Sequence, residues 1–423
     1  MNNRSRLGFA LAPALLLGLT YGLGQIVRDC SLTCNVGFRL SPIVFLLISL
    51  LSFGVVSLQI RIVSRFDASC WWIGCAGGGA LLILVFRGLT FLLLSGDPST
   101  GKEALQAVYI GFYVVLELLF ALLWNNLFGF VRRLFPDEVK GGRMFGYVSA
   151  CVLVGSLAGA WLGGELAPIL MRSFPDRFEQ IRDHLMFAMA ASLLLSIPIL
   201  AAGARASGAK TAGPGTKIEE SFGLGTAWSW VKSDSRMKRM AWIYLLTGSS
   251  AIFMDYIFYW VISQQAEGGS VGLVGFFSNF YIYLSGMTLL LLLFGAGRLS
   301  RRFGDTAGLL ILPAVLLLGT GGLLAFVNLR LLSGIRIMEK SLKKSIYEPS
   351  TESLFQQLDP ERYSVLRPVL DGFSKRIGEA AISIALLGFL LFPDLPIRAA
   401  LGLLLFIQAA WLIAVLSHRR SAR

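Results

Sequence analysis

The chain has 423 residues, 55% of them hydrophobic and 15% charged, with a mean hydropathy of +0.68. Soluble domains are about 45–50% apolar and about 25% charged, so the composition excludes an ordinary soluble enzyme and indicates a polytopic membrane protein. The formal net charge of +13 does not signal a nucleic-acid partner, because the cations fall in short stretches between apolar runs, as the positive-inside bias requires.

A span needs about 20 apolar residues. Twelve are predicted, at 7–27, 40–60, 70–95, 105–131, 143–171, 182–203, 239–262, 271–297, 306–328, 329–357, 367–392 and 396–417. Arg4 and Arg6 precede the first run as in a secretory signal, but the run is too long for a signal core and lacks a small-residue cleavage site. It is read as a retained span. The ninth and tenth are separated only by Asn328–Arg330. With both termini placed inside, 23 of the 38 Lys and Arg residues fall in inside segments, 8 in outside segments and 7 within spans. That asymmetry predicts an integral, multi-pass protein with cytoplasmic termini; the expected location is a bacterial inner membrane.

The third connection, Gly96–Lys102, reads GDPSTGK and fits most of a phosphate-binding loop. The pattern wants Ser or Thr next, where Glu103 stands, and a strand before it. It is rejected. Small residues recur on the fifth span at Gly155, Gly159 and Gly163, a spacing that lets another helix approach closely. Cys30 and Cys34 sit just past the first span, and their spacing does not establish a disulfide. His184 is placed in a loop and His418 in the tail. No metal-ligand cluster, cofactor motif or nucleophile–base arrangement is read, and no enzyme chemistry is expected.

The longest connection, 204–238, opens with ARASGAKTAGPGTK, the composition of a flexible linker. Phe222, Trp228 and Trp230 among basic residues then suit an interfacial segment. The expected organisation is an N-terminal six-helix half at 1–203, a cytosolic linker at 204–238 and a C-terminal six-helix half at 239–423. Pro-Asp-Glu at 136–138 and Asp-Pro-Glu at 359–361 echo one another, as do Gly155 and Gly378, at a common separation of 223 residues (155 to 378). An all-α membrane protein with twelve transmembrane helices in two six-helix halves is the major facilitator architecture.

The segment Arg336–Pro349, RIMEKSLKKSIYEP, carries Arg336, Glu339, Lys340, Lys343, Lys344 and Glu348 inside the tenth span. Arg336, Glu339, Lys340, Lys343 and Tyr347 recur at helical spacing and can share a face. A charge facing lipid at mid-bilayer costs a few kcal/mol, so that face should meet a polar cavity or opposite charges. The alternatives are a cytosolic loop or a structural ion-pair seam. Arg28, Asp29, Arg87, Glu117, Asp255, Lys375, Arg376 and Glu379 complete the intramembrane polar set. Glu117 lies among apolar residues for more than a turn on each side. Arg28 and Asp29 could equally be an exposed pair at the end of the first span, and Arg87 a snorkelling side chain. Tyr256, Phe258, Tyr259 and Trp260 cannot all share one face of the seventh span; packing is the simpler role for them.

Several stretches resemble the ATP/ADP translocase family of plastids and intracellular bacteria and its wider bacterial relatives. KKSIYEPSTESLFQQLDPERYSVLRPVLDGFSKRIGEA, at 343–380, is similar to the family's tenth and eleventh helices. Lys343, Ser345, Pro349, Asp371, Arg376 and Gly378 fit its pattern, with Lys344, Glu348 and Arg367 standing at substituted positions. YGLGQIVRD, from Tyr21 to Asp29, is similar to the family's first helix, and Glu117 falls on its acidic position in the fourth. The chain departs where Asp255 is followed by Tyr-Ile-Phe-Tyr rather than Trp-Lys, and at Gln25, where the family has a basic residue.

The resemblance implies a secondary transporter that moves an anionic, nucleotide-like metabolite by alternating access, as in ATP/ADP exchange. The substrate-binding residues would be Arg28, Asp29, Glu117, Asp255, Arg336, Lys340, Lys343 and Lys344. Glu117, Asp255, Arg367, Asp371 and Arg376 would serve gating. The alternatives are a proton-coupled carrier of another solute, or a non-transporting membrane scaffold or sensor of the same fold. The expected partners are a small anionic solute and the lipid bilayer; the sequence does not give the oligomeric state.

Overall fold

The computed structural model describes residues 3–63, 68–95, 98–135, 143–173, 178–206, 229, 231–265, 269–295, 305–355, 370–389 and 396–421. These residues are helical almost throughout, and no strand occurs among them. We label the long helices α1 (Asn3–Ser31), α2 (Ser41–Val63), α3 (Ala68–Ser95), α4 (Pro98–Leu134), α5 (Arg143–Ser173) and α6 (Phe178–Ala206). They continue with α7 (Ser235–Gln265), α8 (Gly269–Leu290) and α9 (Asp305–Ala325). Helix α10 is composite: Leu329–Leu342, a π-turn at Lys343–Tyr347, then Glu348–Phe355. Helix α11 (Lys375–Phe389) follows a π-turn at Leu370–Ser374, and α12 (Ile397–Ser421) closes the set.

Among the described residues ten helices are long and apolar enough to cross a membrane. The predicted tenth and eleventh spans are the two that fall short. The charges of α10 disqualify it, and α11 is described over only 15 residues. The turn before α10 is well made: the Asn328 side chain caps it, accepting from the Arg330 amide at 2.7 Å. The charged segment is therefore helical, which overturns the loop alternative. The phosphate-loop-like stretch is no loop from Pro98 onward: helix α4 begins there, and Lys102 and Glu103 lie exposed on it.

The chain divides into two compact units. The first holds Met1–Gly37, Ser57–Gly215 and Ala266–Leu289; the second holds Phe38–Val56, Thr216–Gln265 and Leu290–Arg423. In the first unit a core of Leu23, Trp72, Phe112, Leu123, Phe130 and Met189, all buried, fills the space between α1, α3, α4 and α6. Several buried hydroxyls are satisfied within their own helices. Thr20 donates to the Leu16 carbonyl at 2.9 Å and Ser49 to that of Phe45 at 2.8 Å, which removes most of the penalty of a polar atom in an apolar layer.

One helix crossing occurs twice. In the first unit, a Cβ on Gly18 of α1 would meet the Val152 carbonyl of α5, and one on Gly155 would meet the Leu15 carbonyl. In the second unit, a Cβ on Gly248 of α7 would meet the Lys375 carbonyl of α11, and one on Gly378 would meet the Leu245 carbonyl. The partners match position for position: a separation of 230 residues relates α1 to α7 (18 to 248, 15 to 245), and one of 223 relates α5 to α11 (155 to 378, 152 to 375). Backbone-to-backbone approach of this kind needs glycine, because any side chain would drive the helices apart. The small-residue spacing on the fifth span is thus a packing device.

Candidate functional site

Each unit holds a buried charge cluster, built by α1 and α4 in the first and by α7 and α10 in the second. In the first unit, Arg28 near the end of α1 is 5% exposed and Asp29 is 1% exposed, which overturns the reading of an exposed pair. Arg28 Nε donates to Asp29 at 2.7 Å, and Arg28 Nη1 donates to the partly exposed Glu117 of α4. The guanidinium lies 4.7 Å from the centre of the Tyr113 ring. Tyr281 of α8, fully buried, donates its hydroxyl to the other oxygen of Asp29. One cation thus serves two carboxylates, and a phenol completes the buried one. The π-turn Leu32–Val36 follows immediately.

In the second unit the Arg336 side chain, 1% exposed, donates to Asp255 of α7 through Nη2 and to Glu339 through Nη1. Its guanidinium is 5.9 Å from the Phe258 ring centre. Lys340 Nζ lies 3.7 Å from the same Asp255 oxygen. On α11, Arg376 donates to Glu379 at 2.6 Å, and the Ser49 oxygen of α2 lies 3.5 Å from Glu379. In a low-dielectric layer an arginine fork that satisfies two carboxylates is far cheaper than any of the three groups alone.

The two separations that relate the helix crossings also relate the clusters. Arg28 over Tyr113 in the first unit maps onto Phe258 under Arg336 in the second, with cation and ring exchanged between the two helices. Glu117 maps onto Lys340, and Gln25 onto Asp255. In the first unit Arg28 on α1 pairs with Asp29 beside it and with Glu117 on α4; in the second Arg336 on α10 pairs with Glu339 on the same helix and with Asp255 on α7.

Lys343 stands apart. It opens the π-turn of α10 and is half-buried. Among the described residues no carboxylate lies within 4.0 Å of its ammonium. Its charged surroundings are Lys375, Glu348, Glu339 and Glu379, with Lys375 the strongest influence among them. The π-turn adds a residue to the helical phase. The five residues expected on one face do not stay together: Tyr347 shares a 2.9 Å hydrogen bond with Thr247 and packs its ring on Trp411 at 5.6 Å. Lys344 is exposed. Arg367 lies outside the described residues, as does the Asp371 side chain.

Arg87 does not snorkel; it is 6% exposed, with the rings of Phe91 and Phe187 at 5.5 and 5.7 Å. Tyr256, Phe258 and Tyr259 are buried, and Trp260 stacks on Phe38 at 5.9 Å. Cys30 and Cys34 are not joined by a disulfide; their sulfurs are 3.8 Å apart, within hydrogen-bond reach. The histidines need correction: His184 lies within α6 and His418 within the last turn of α12, because both helices run past the apolar stretch that marks the span. The residues that sequence reasoning missed are Tyr113, Tyr281 and Phe258 beside the buried charges. Their spacing marks them only as apolar.

No protein-family model matches the chain, and no characterised protein matches it by sequence. Solved structures do. The nucleoside transporter NupG is similar at a TM-score of 0.69 and 12% identity, over 99% of each chain. A bacterial homologue of the iron transporter ferroportin, in an inward-facing state, matches at 0.66 and 13%, over 99% of each chain. A bacterial homologue of the human lysosomal transporter Spinster matches at 0.60 and 13%, again over 99% of each. Full-length coverage of three such structures, with ten helices long and apolar enough to cross a membrane among the described residues, shows that this multi-pass membrane chain has the major facilitator fold.

Proposed function

We propose that this protein is a secondary transporter for a small anionic solute, working by alternating access, with a phosphorylated, nucleotide-like metabolite as the favoured substrate. The observation that carries the reading is Lys343. Arg336 and Lys340 are matched by Asp255 and Glu339, and Arg376 by Glu379. Lys343, beside Lys375, has no such partner among the described residues. An ammonium at membrane depth held in no close ion pair among the described residues is a functional group by default, and its charged surroundings include Lys375 as well as Glu348, Glu339 and Glu379. The fold shared with solute transporters and the resemblance of 343–380 to ATP/ADP translocases point the same way. In this reading Arg28 and Lys340 also contribute to anion binding, while Glu117 and Asp255 exchange partners during the cycle. The six-and-six division at 204–238 is the working boundary of the moving halves, and both termini are cytoplasmic.

The test is thermal stability of the purified protein against nucleotides, other phosphorylated metabolites and organic anions. A ligand at 100 times its Kd stabilises the folded state by about 2.7 kcal/mol. A shift with a phosphorylated compound that disappears in Lys343→Ala is the expected result. A shift that survives in Lys343→Ala removes this lysine from the site. Flat responses and flat uptake across the panel overturn the anion reading.

A further inference from the structure

A second group of cations lies at one end of the second unit, formed by the start of α7 and the last turn of α12. His418 is 7% exposed, and its Nδ1 is buried without a hydrogen-bond partner among the described residues. Among the described residues the charged groups that act on it are Arg239 and Arg236, with no carboxylate among them. Arg239 donates Nη1 to Ser235 at 3.0 Å, and its Nε is buried without a partner among the described residues. The acid nearest in sequence, Asp234, is engaged elsewhere: its Oδ1 accepts the Arg236 amide at 2.7 Å, capping α7. Two guanidiniums and an imidazole therefore converge with donors to spare and no acceptor among the described residues to receive them. Leaving Arg239 Nε and His418 Nδ1 buried and unpaired is costly, and an anion placed here would satisfy them.

The position tells which anion. Trp242 on α7 is 60% exposed, and on α12 Ile413 is 65% exposed. At a rise of about 1.5 Å per residue, Trp242 lies roughly 4.5 Å along the axis from Arg239 and about 9 Å from Arg236. Ile413 is similarly about 7.5 Å from His418. Exposed tryptophan marks the boundary of the acyl layer. The cations then lie one to two turns beyond it, at the level of lipid headgroups, where basic side chains recognise anionic phospholipid. We propose that Arg236, Arg239 and His418 form a phosphate-binding site occupied by the headgroup of an anionic lipid. The site is independent of the solute site proposed above.

The experiment uses the full-length protein in neutral detergent, with retained lipid read by native mass spectrometry. The probes are dioleoyl phosphatidylglycerol, dioleoyl phosphatidylcholine and inorganic phosphate. Wild type should retain phosphatidylglycerol over phosphatidylcholine. Arg236→Gln/Arg239→Gln should weaken retention by roughly 25-fold, at about fivefold for each surface arginine. Arg330→Gln, an exposed arginine before the first turn of α10 is complete, should leave retention unchanged. If the double variant does not fold, Arg236→Gln alone, at an exposed position, should show the fivefold loss. Displacement of phosphatidylglycerol by millimolar phosphate, dependent on the same arginines, would assign the site to a soluble anion and overturn the lipid assignment. Equal retention in wild type and the arginine variants would overturn the site itself.

Discussion

Arg336 is the side chain whose loss should be felt most. It is 1% exposed and bonds both Asp255 and Glu339. Arg336→Met keeps much of the length of the side chain but leaves two carboxylates without the guanidinium that bridges them, with Lys340 3.7 Å from Asp255. Removing one partner of a buried ion pair costs about 3–5 kcal/mol, because the remaining charge stays buried. Asp255 is partly exposed and can be rehydrated, which favours the lower end; Glu339 is buried and cannot. At about 2 °C per kcal/mol for a unit of some 200 residues, the melting midpoint in detergent should fall by roughly 6–10 °C. The control is the triple variant Arg336→Met/Asp255→Asn/Glu339→Gln, which removes the stranded charges and should recover most of the midpoint. A drop below about 2 °C for the single change, or a triple variant as unstable as the single one, would refute the claim that this arginine compensates buried carboxylates.

Other outcomes follow from neighbouring features. Gly378→Leu should force α11 from the Leu245 carbonyl of α7 and lower stability by about 1–3 kcal/mol or more; Gly88→Ala, with open space around its Cβ, should be neutral or stabilising by up to about 1 kcal/mol. Thermal melts of the two variants check both. Tyr281→Phe removes the hydroxyl that reaches Asp29 and should lower stability by about 1–3 kcal/mol through an under-satisfied buried carboxylate, with no such effect in an Asp29→Asn background. Glu117→Gln should be milder than Asp29→Asn, because Glu117 is 40% exposed and Asp29 is 1% exposed; paired melts decide the order.

The membrane class and the all-helical fold were legible because they depend on run length and hydropathy, and a bilayer leaves the backbone few other solutions. The charge of α10 was equally plain, since six ionisable residues between apolar runs cannot be averaged away. So was the Gly155 and Gly378 correspondence, which the close approaches to the Leu15 and Leu245 carbonyls now explain. Which charges meet was hidden. Asp255 and Arg336 are 81 residues apart and Arg28 and Glu117 are 89 apart, and nothing in local spacing pairs them. The π-turn at Lys343–Tyr347 was invisible for the same reason: it is set by how α10 packs on its neighbours, not by propensity. Packing turned Tyr347 away from the lysines, placed Tyr281 on Asp29, and brought His418 to two arginines more than 170 positions earlier in the chain. Hydropathy and charge along the chain suffice for a helical, major-facilitator-like membrane protein with unusual intramembrane charge, because both are properties of local segments. Which of those charges pair closely, and which, like Lys343, stand outside any close ion pair among the described residues, depends on contacts between distant segments that exist once the helices have packed.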